Sequence, residues 1–181
     1  MTDQQREYER IISPVEDRMM RAVWRITRNA ADADDAFQDA LLTIWKRWDR
    51  IRRHPNPHAL ILQICTNSAY DLLRRRVREG KRANALPQAG VPDSSTSQLE
   101  AIAAAEQDAK VLQAIGVLPE KQGRAILLHV VEEMPYAEVA AAMDCGEATV
   151  RKHVERARAK LRTLLSSWFS STHKEEERSH A

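Results

Sequence analysis

The chain has 181 residues, 43% of them apolar and 30% charged, with a formal net charge of +2. That length suits one medium domain or two small ones with real cores, and five glycines with few β-branched runs favour helix over sheet. Cys65 and Cys145 lie far apart and outside any CxxC or His-Cys cluster, which argues against a disulfide framework or a structural zinc site. No metal or cofactor is expected. The polar start MTDQQREYERII and the lack of an apolar run near eighteen residues argue against a signal peptide or membrane insertion, so a cytoplasmic protein is expected.

Residues 5–80 read as three helices. The first, QREYERIISPVEDRMMRAVWRITRN, places Ile11, Val15, Met19, Val23 and Ile26 at helical spacing, with Pro14 marking a start or bend. The second starts in the acidic run DADDAFQDA, with Asp32 as its expected N-cap and neighbouring acids opposing the helix dipole. Phe37, Leu41, Ile44, Trp45 and Trp48 fall on its core face. Asp35, Asp39, Leu42 and Lys46 fall on the opposite one. Capping explains acids in a first turn but not Asp39 beside an outward leucine. A solvated helix start and a protein-binding face with an apolar centre both stay open here. A catalytic carboxylate pair fits poorly, because no histidine, phosphate loop or metal-ligand spacing accompanies the run.

After RHPNPH a third helix runs through ALILQICTNSAYDLLRRRVRE. From Lys46 to Arg82 there are eleven Lys/Arg against three acids. The run of Arg74, Arg75, Arg76, Arg78, Lys81 and Arg82 is denser than a helix end needs, and suits a phosphate backbone. Asn67 could cap, pack or bond a base edge. Tyr70 could fill the core or stack on an unpaired base.

The stretch GKRANALPQAGVPDSSTS holds nothing that could form a core and reads as a linker over 81–97. Helices are expected over 98–116, 119–132, 136–143 and 147–168, with a disordered tail over 169–181. In MPYAEVAAAMDCGEATVRKHVERARAKLRTLL, a short helix, a turn at DCG and a longer basic helix form a helix-turn-helix pattern. Asp144 is expected to adopt the left-handed backbone of the turn, and Gly146 to cap the next helix. Val150, Val154, Ala157, Leu161 and Leu165 line one face of that helix. Ala148, Thr149, Arg151, Lys152, Glu155 and Arg156 lie away from it, where they could meet phosphates and base edges. A solvated basic surface helix is the plainer alternative. The expected architecture is all-α: a helical domain over 1–80, the linker, and a helix-turn-helix domain over 98–168.

In this order the motifs resemble the bacterial RNA polymerase sigma factors of the extracytoplasmic-function group. DADDAFQDALLTIW is similar to that group's acidic segment, which docks on core polymerase. The resemblance implies that role for Asp32, Asp35, Gln38 and Asp39, and the outward Leu42 joins them in the expected face. HALILQICTNSAYDLLRRR resembles the segment that recognises and melts the minus-ten element, which implies contacts from Asn67, Asp71, Arg74 and Arg75, with Tyr70 added by its spacing; Leu60 stands where that segment carries Trp. LPEKQGRAILLHVVEEMPYAEVAAAMDCGEATVRKHVERARAKLR resembles the minus-thirty-five-binding domain, placing Thr149, Arg151, Lys152 and Arg156 on its recognition helix, with Ala148 and Glu155 on the same face. The implied partners are core RNA polymerase and promoter DNA, with an anti-sigma factor left open. The implied chain is not an enzyme. The competing reading is a helix-turn-helix regulator that acts without replacing sigma.

Overall fold

In the computed structural model, the described residues are 3–80 and 98–179, with side chains over 6–80 and 104–168; the expected linker lies outside them. Among the described residues there is helix and no strand. The first half comprises α1 (Asp3–Ile12), a 3-10 turn at Ser13–Val15, α2 (Glu16–Thr27), α3 (Ala30–Lys46), α4 (Trp48–Arg52) and α5 (Pro57–Arg78). The second comprises α6 (Gln98–Gly116), α7 (Glu120–Ile126) ending in a wide π turn at Leu127–Val131, α8 (Tyr136–Ala142) and α9 (Glu147–Ser179).

Local chemistry sets the breaks. Pro14 lies in the first turn of the 3-10 segment that separates α1 from α2, a position that needs no amide hydrogen. Asn29, rather than the expected Asp32, caps α3: its side chain accepts from the Asp32 amide, which leaves Asp32 inside the first turn. The RHPNPH stretch is a capping structure, in which Asn56 accepts from the Ala59 amide and Pro57 occupies the first helical position. The helix expected to end at residue 168 continues to Ser179. No glycine or proline interrupts α9, and its last turns are rich in helix-forming Lys, Glu and Arg.

Met19, Ala22, Val23 and Ile26 of α2 pack with Ala33, Ala36, Ala40 and Ile44 of α3 and with Ile61, Ile64, Cys65 and Ala69 of α5. Each fully buried Ile, Val or Met contributes about 1.5–3 kcal/mol. A smaller cluster, with Leu128, Met134, Val139, Val150 and Val154, holds the helix-turn-helix together and also takes in Ala59 of α5. The halves do not stand apart on a tether. Ile115, Leu118, Ile126, Leu127 and Ala157 complete the core of the first half, and α5 touches α6, α7 and α8. Both halves leave apolar side chains on these faces, so burial draws them together.

Candidate polymerase and DNA interfaces

The acidic run divides into two environments. Asp32 is 7% exposed and its carboxylate is held by the Arg76 guanidinium. Burial raises its pKa, and Arg76 beside it opposes that rise. Asp32 is therefore a buried, paired group, which corrects its expected place on an outward docking face: one turn into α3, its side chain points at α5. Asp35, Gln38 and Asp39 are exposed, and Asp39 accepts a hydrogen bond from Ser68 at 2.9 Å. Leu42 is outward as expected, at 58% exposure. Trp45, expected on the core face, is 54% exposed, with its ring edge-on to Tyr8 and the ring centroids 5.9 Å apart. The helix stops at Lys46 and restarts at Trp48, so Trp48 turns into the core while Trp45 joins Leu42 outside. The outcome is an apolar strip bordered by Asp35, Gln38 and Asp39.

The five positions on α5 lie against or beside the second half. Tyr70 is 0% exposed, with its hydroxyl 3.3 Å from the Ile115 and Leu118 carbonyl oxygens. Burial pushes its phenol up to about 12. In this arrangement it cannot reach an unpaired base. Asp71 accepts from Arg124 at 3.3 Å, and Arg74 lies 3.4 Å from Glu120. Arg75 is exposed, whereas the Asn67 side-chain oxygen is buried without a hydrogen-bond partner. Leu60 is buried.

The helix-turn-helix matches its expected geometry closely. Asp144 has φ +55°, and the Cys145 amide donates to the Ala140 carbonyl at 3.0 Å, closing the end of α8. The Gly146 carbonyl accepts from Thr149 and Val150 as α9 begins. Val150, Val154 and Ala157 are buried, Leu161 and Leu165 half-buried. Ala148, Thr149, Arg151, Lys152, Glu155 and Arg156 are all exposed. Periodicity did not show the support beneath Arg151. Its guanidinium sits 4.1 Å above the Tyr136 ring, which stacks on His129 at 3.8 Å, and His129 Nδ1 is fixed by the Met134 carbonyl at 2.8 Å. The exposed Arg151 thus rests on an aromatic shelf.

Residues 11–79 match the Sigma-70 region 2 family, and residues 108–161 match the Sigma-70, region 4 family. The chain is 30% identical to the ECF RNA polymerase sigma factor SigM of Mycobacterium tuberculosis, over 82% of this chain and 72% of that one. The chain belongs to the ECF sigma factors. It is also 29% identical to the RNA polymerase sigma-E factor of Streptomyces avermitilis, over 89% of this chain and 86% of the relative. The fold is shared with the sigma factor RpoE of Bartonella quintana, solved with the anti-sigma factor NepR, at TM-score 0.54 and 22% identity over 88% of this chain and 96% of that one. It is shared too with CnrH, solved with the cytosolic domain of CnrY, at TM-score 0.58 and 23% identity over 90% of each chain.

A sigma factor directs core RNA polymerase to promoters, and this one carries both the region 2 and region 4 elements in order. That sets aside a regulator acting without replacing sigma. Among the described residues, no helix is long and apolar enough to cross a membrane. No cluster of three or more His, Cys, Asp or Glu there could hold a metal ion. Missed from the sequence were Glu120, Gly123, Arg124, Glu132 and Tyr136. Of these, Gly123 carried a signal: an isolated glycine inside a helical run marks close approach of something else.

Proposed function

We propose that this sigma factor divides its contacts among three surfaces and acts in the cytoplasm. Asp35, Gln38, Asp39 and Leu42, extended by Trp45, form the face for core polymerase. Asn67, Asp71, Arg74 and Arg75 serve the minus-ten strand. Ala148, Thr149, Arg151, Lys152, Glu155 and Arg156 serve the minus-thirty-five duplex. The observation that carries this reading is the division of α9: Val150 and Val154 on its apolar side pack into the second core and Ala157 into the first, while all six recognition positions are exposed.

Mechanistically, the region 4 half grips duplex DNA through phosphate and base-edge hydrogen bonds. The region 2 half captures an unpaired strand, and the pocket must return the few kcal/mol that unstacking a base costs. The Asn67 oxygen, buried without a partner, has capacity to accept a hydrogen bond from a base. In this reading the chain acts by binding and positioning, while core polymerase performs the chemistry. The fold shared with a sigma factor bound to an anti-sigma factor supports such a protein as a further partner.

Run-off transcription with purified core polymerase tests the scheme. Asn67→Ala should reduce promoter opening while leaving upstream duplex binding intact, and Lys152→Ala with Arg156→Ala should do the reverse. If both sets left transcription unchanged, the assignment of these surfaces would be wrong.

A further inference from the structure

The exposed face of α9 has an edge that nothing in the chain neutralises. His153 lies where that face meets the buried one, beside Val154 of the second core and one turn before the exposed Arg156. Its ring is half-buried, and Nδ1 is enclosed without a hydrogen-bond partner. A buried N–H lacking an acceptor is rarer than a bare acceptor atom, so the proton of the neutral ring belongs on Nε2. Nε2 is not enclosed in this way, and its N–H is left facing solvent.

Helix α7 brings a second cation to the same place. A Cβ on Gly123 would lie 1.9 Å from the Tyr70 hydroxyl oxygen, so that side of α7 is pressed against α5. Lys121 stands two residues earlier, which turns it to the other side of the helix, where it is exposed. Burial, then Lys121, then Arg156 hold the His153 pKa below the ordinary histidine value. The charges that face the ring are thus both positive, and the described residues of α6 and α8 add none. The neighbouring acids are committed elsewhere, Glu120 to Arg74 and Arg124, and Glu147 to Arg151. Among the described residues, Lys121 and Arg156 have no ion-pair partner, whereas Arg25, Arg28, Arg74 and Arg76 each meet a carboxylate. Two cations and a ring N–H therefore share one exposed spot between two helices, and an anion there would relieve their repulsion.

We propose that Lys121, His153 and Arg156 form a site for one DNA backbone phosphate, which adds α7 to the duplex contact and links that contact to proton uptake. This rests on the minus-thirty-five reading of α9. The ammonium and guanidinium supply charge, and the His153 Nε2–H supplies a hydrogen bond. A phosphate beside the ring favours the imidazolium, which the bare site disfavours. Affinity for duplex therefore rises as pH falls through the His153 titration, and levels off once the free chain is protonated as well. A phosphate contact carries no sequence information, so the site sets register and grip rather than base choice.

The test reads anisotropy of a fluorescent random-sequence duplex with the full chain, and follows the His153 imidazole by NMR with and without that duplex. Between about pH 8 and pH 5.5 the parent should gain roughly 3- to 10-fold in affinity beyond any gain of His153→Gln, since one unit of pKa shift is a factor of ten. His153→Arg, permanently charged, should bind tightly across that range with the flatter profile of His153→Gln. Lys121→Ala should weaken binding at every pH and lower the salt slope by about 1.

Equal pH profiles for the parent and His153→Gln, or a His153 titration that the duplex leaves unmoved, would overturn the proposal. So would a Lys121→Ala chain with the parent's affinity and salt slope. A His153 shift caused by inorganic phosphate but not by duplex would mean a site for free anions, and overturns it as well. If Lys152→Ala with Arg156→Ala bound duplex as the parent does, the minus-thirty-five reading itself would fall, and the proposal with it. Loss of binding by that double variant, with a parent whose profile matched His153→Gln, would keep the reading and strike the phosphate site alone.

Discussion

Replacing Asp32 and Asp35 separately by Ala should divide stability from docking, although the two acids lie three residues apart. Asp32 accepts a charged hydrogen bond from Arg76 while nearly buried, an interaction worth about 1.5–3 kcal/mol. Its place in the first turn of α3 adds about 0.3–1 kcal/mol against the helix dipole. The cost of burying its charge, visible in its raised pKa, offsets part of both. A net loss of about 1–3 kcal/mol is expected for Asp32→Ala, lowering the melting temperature by roughly 3–10 °C in a chain of this size.

Asp35 is exposed, and its removal should change stability by no more than about 0.5 kcal/mol. Binding to core polymerase should respond in the opposite order, falling for Asp35→Ala and holding for Asp32→Ala. Asp32→Asn should melt at or above the parent, and above Asp32→Ala. With a raised folded pKa, the favourable contribution is present below the unfolded pKa and lost as pH rises through the folded one. At neutral pH the ionised acid therefore carries a burial cost that Asn avoids, and Asn can still accept from Arg76. Circular-dichroism melting combined with competition for core polymerase decides the matter. If Asp32→Ala melted like the parent and lost core binding as Asp35→Ala does, Asp32 would be a docking group and the buried pair would have no structural role.

Removing the shelf under Arg151 by Tyr136→Leu should weaken holoenzyme discrimination between a minus-thirty-five duplex and a scrambled one about 2- to 5-fold, the worth of an exposed cation–π contact; Tyr136→Phe should retain it. Equal discrimination by all three proteins would refute the shelf. At Asp144, with φ +55°, valine should cost about 1–2 kcal/mol in a denaturant melt, whereas glycine should be neutral or mildly stabilising. A valine variant as stable as the parent would mean that the turn changes shape without cost. Burial raises the Cys65 thiol to about 12, so a disulfide reagent should titrate the half-buried Cys145 alone in the native state and both thiols after unfolding. Rapid native titration of both would contradict the packing of Cys65 in the first core.

The helix-turn-helix was legible from the sequence because its signals are local. The 3.6-residue rhythm of Val150, Val154 and Ala157 separates core from surface on one helix, and Asp144 marks the turn through a backbone preference of its own residue type. Leu42 was placed outward by the same rhythm. Trp45 was misplaced because the buried face of α3 is centred on Ala33, Ala36, Ala40 and Ile44, with Phe37 and Leu41 only half-buried at its edge. Trp45 falls beyond that edge, while the break at Arg47 turns Trp48 inward. Capping gave way similarly. Asn29 and Asp32 are both acceptable cap residues, and Asp32 is drawn inside the helix by a partner 44 residues away.

Helices, their faces and the order of the two sigma regions follow from neighbours in the chain. Tertiary structure settled which charged groups meet. Glu120 and Arg74 are separated by 46 residues, and Arg25 and Glu132 by 107. Periodicity within one helix carries no information about such pairs, because a side chain's rotation about its own axis does not specify what approaches it. The same limit hid the burial of Tyr70 and the reason for a glycine at 123. Both depend on the distance between two helix surfaces, and that distance is fixed only when the halves pack.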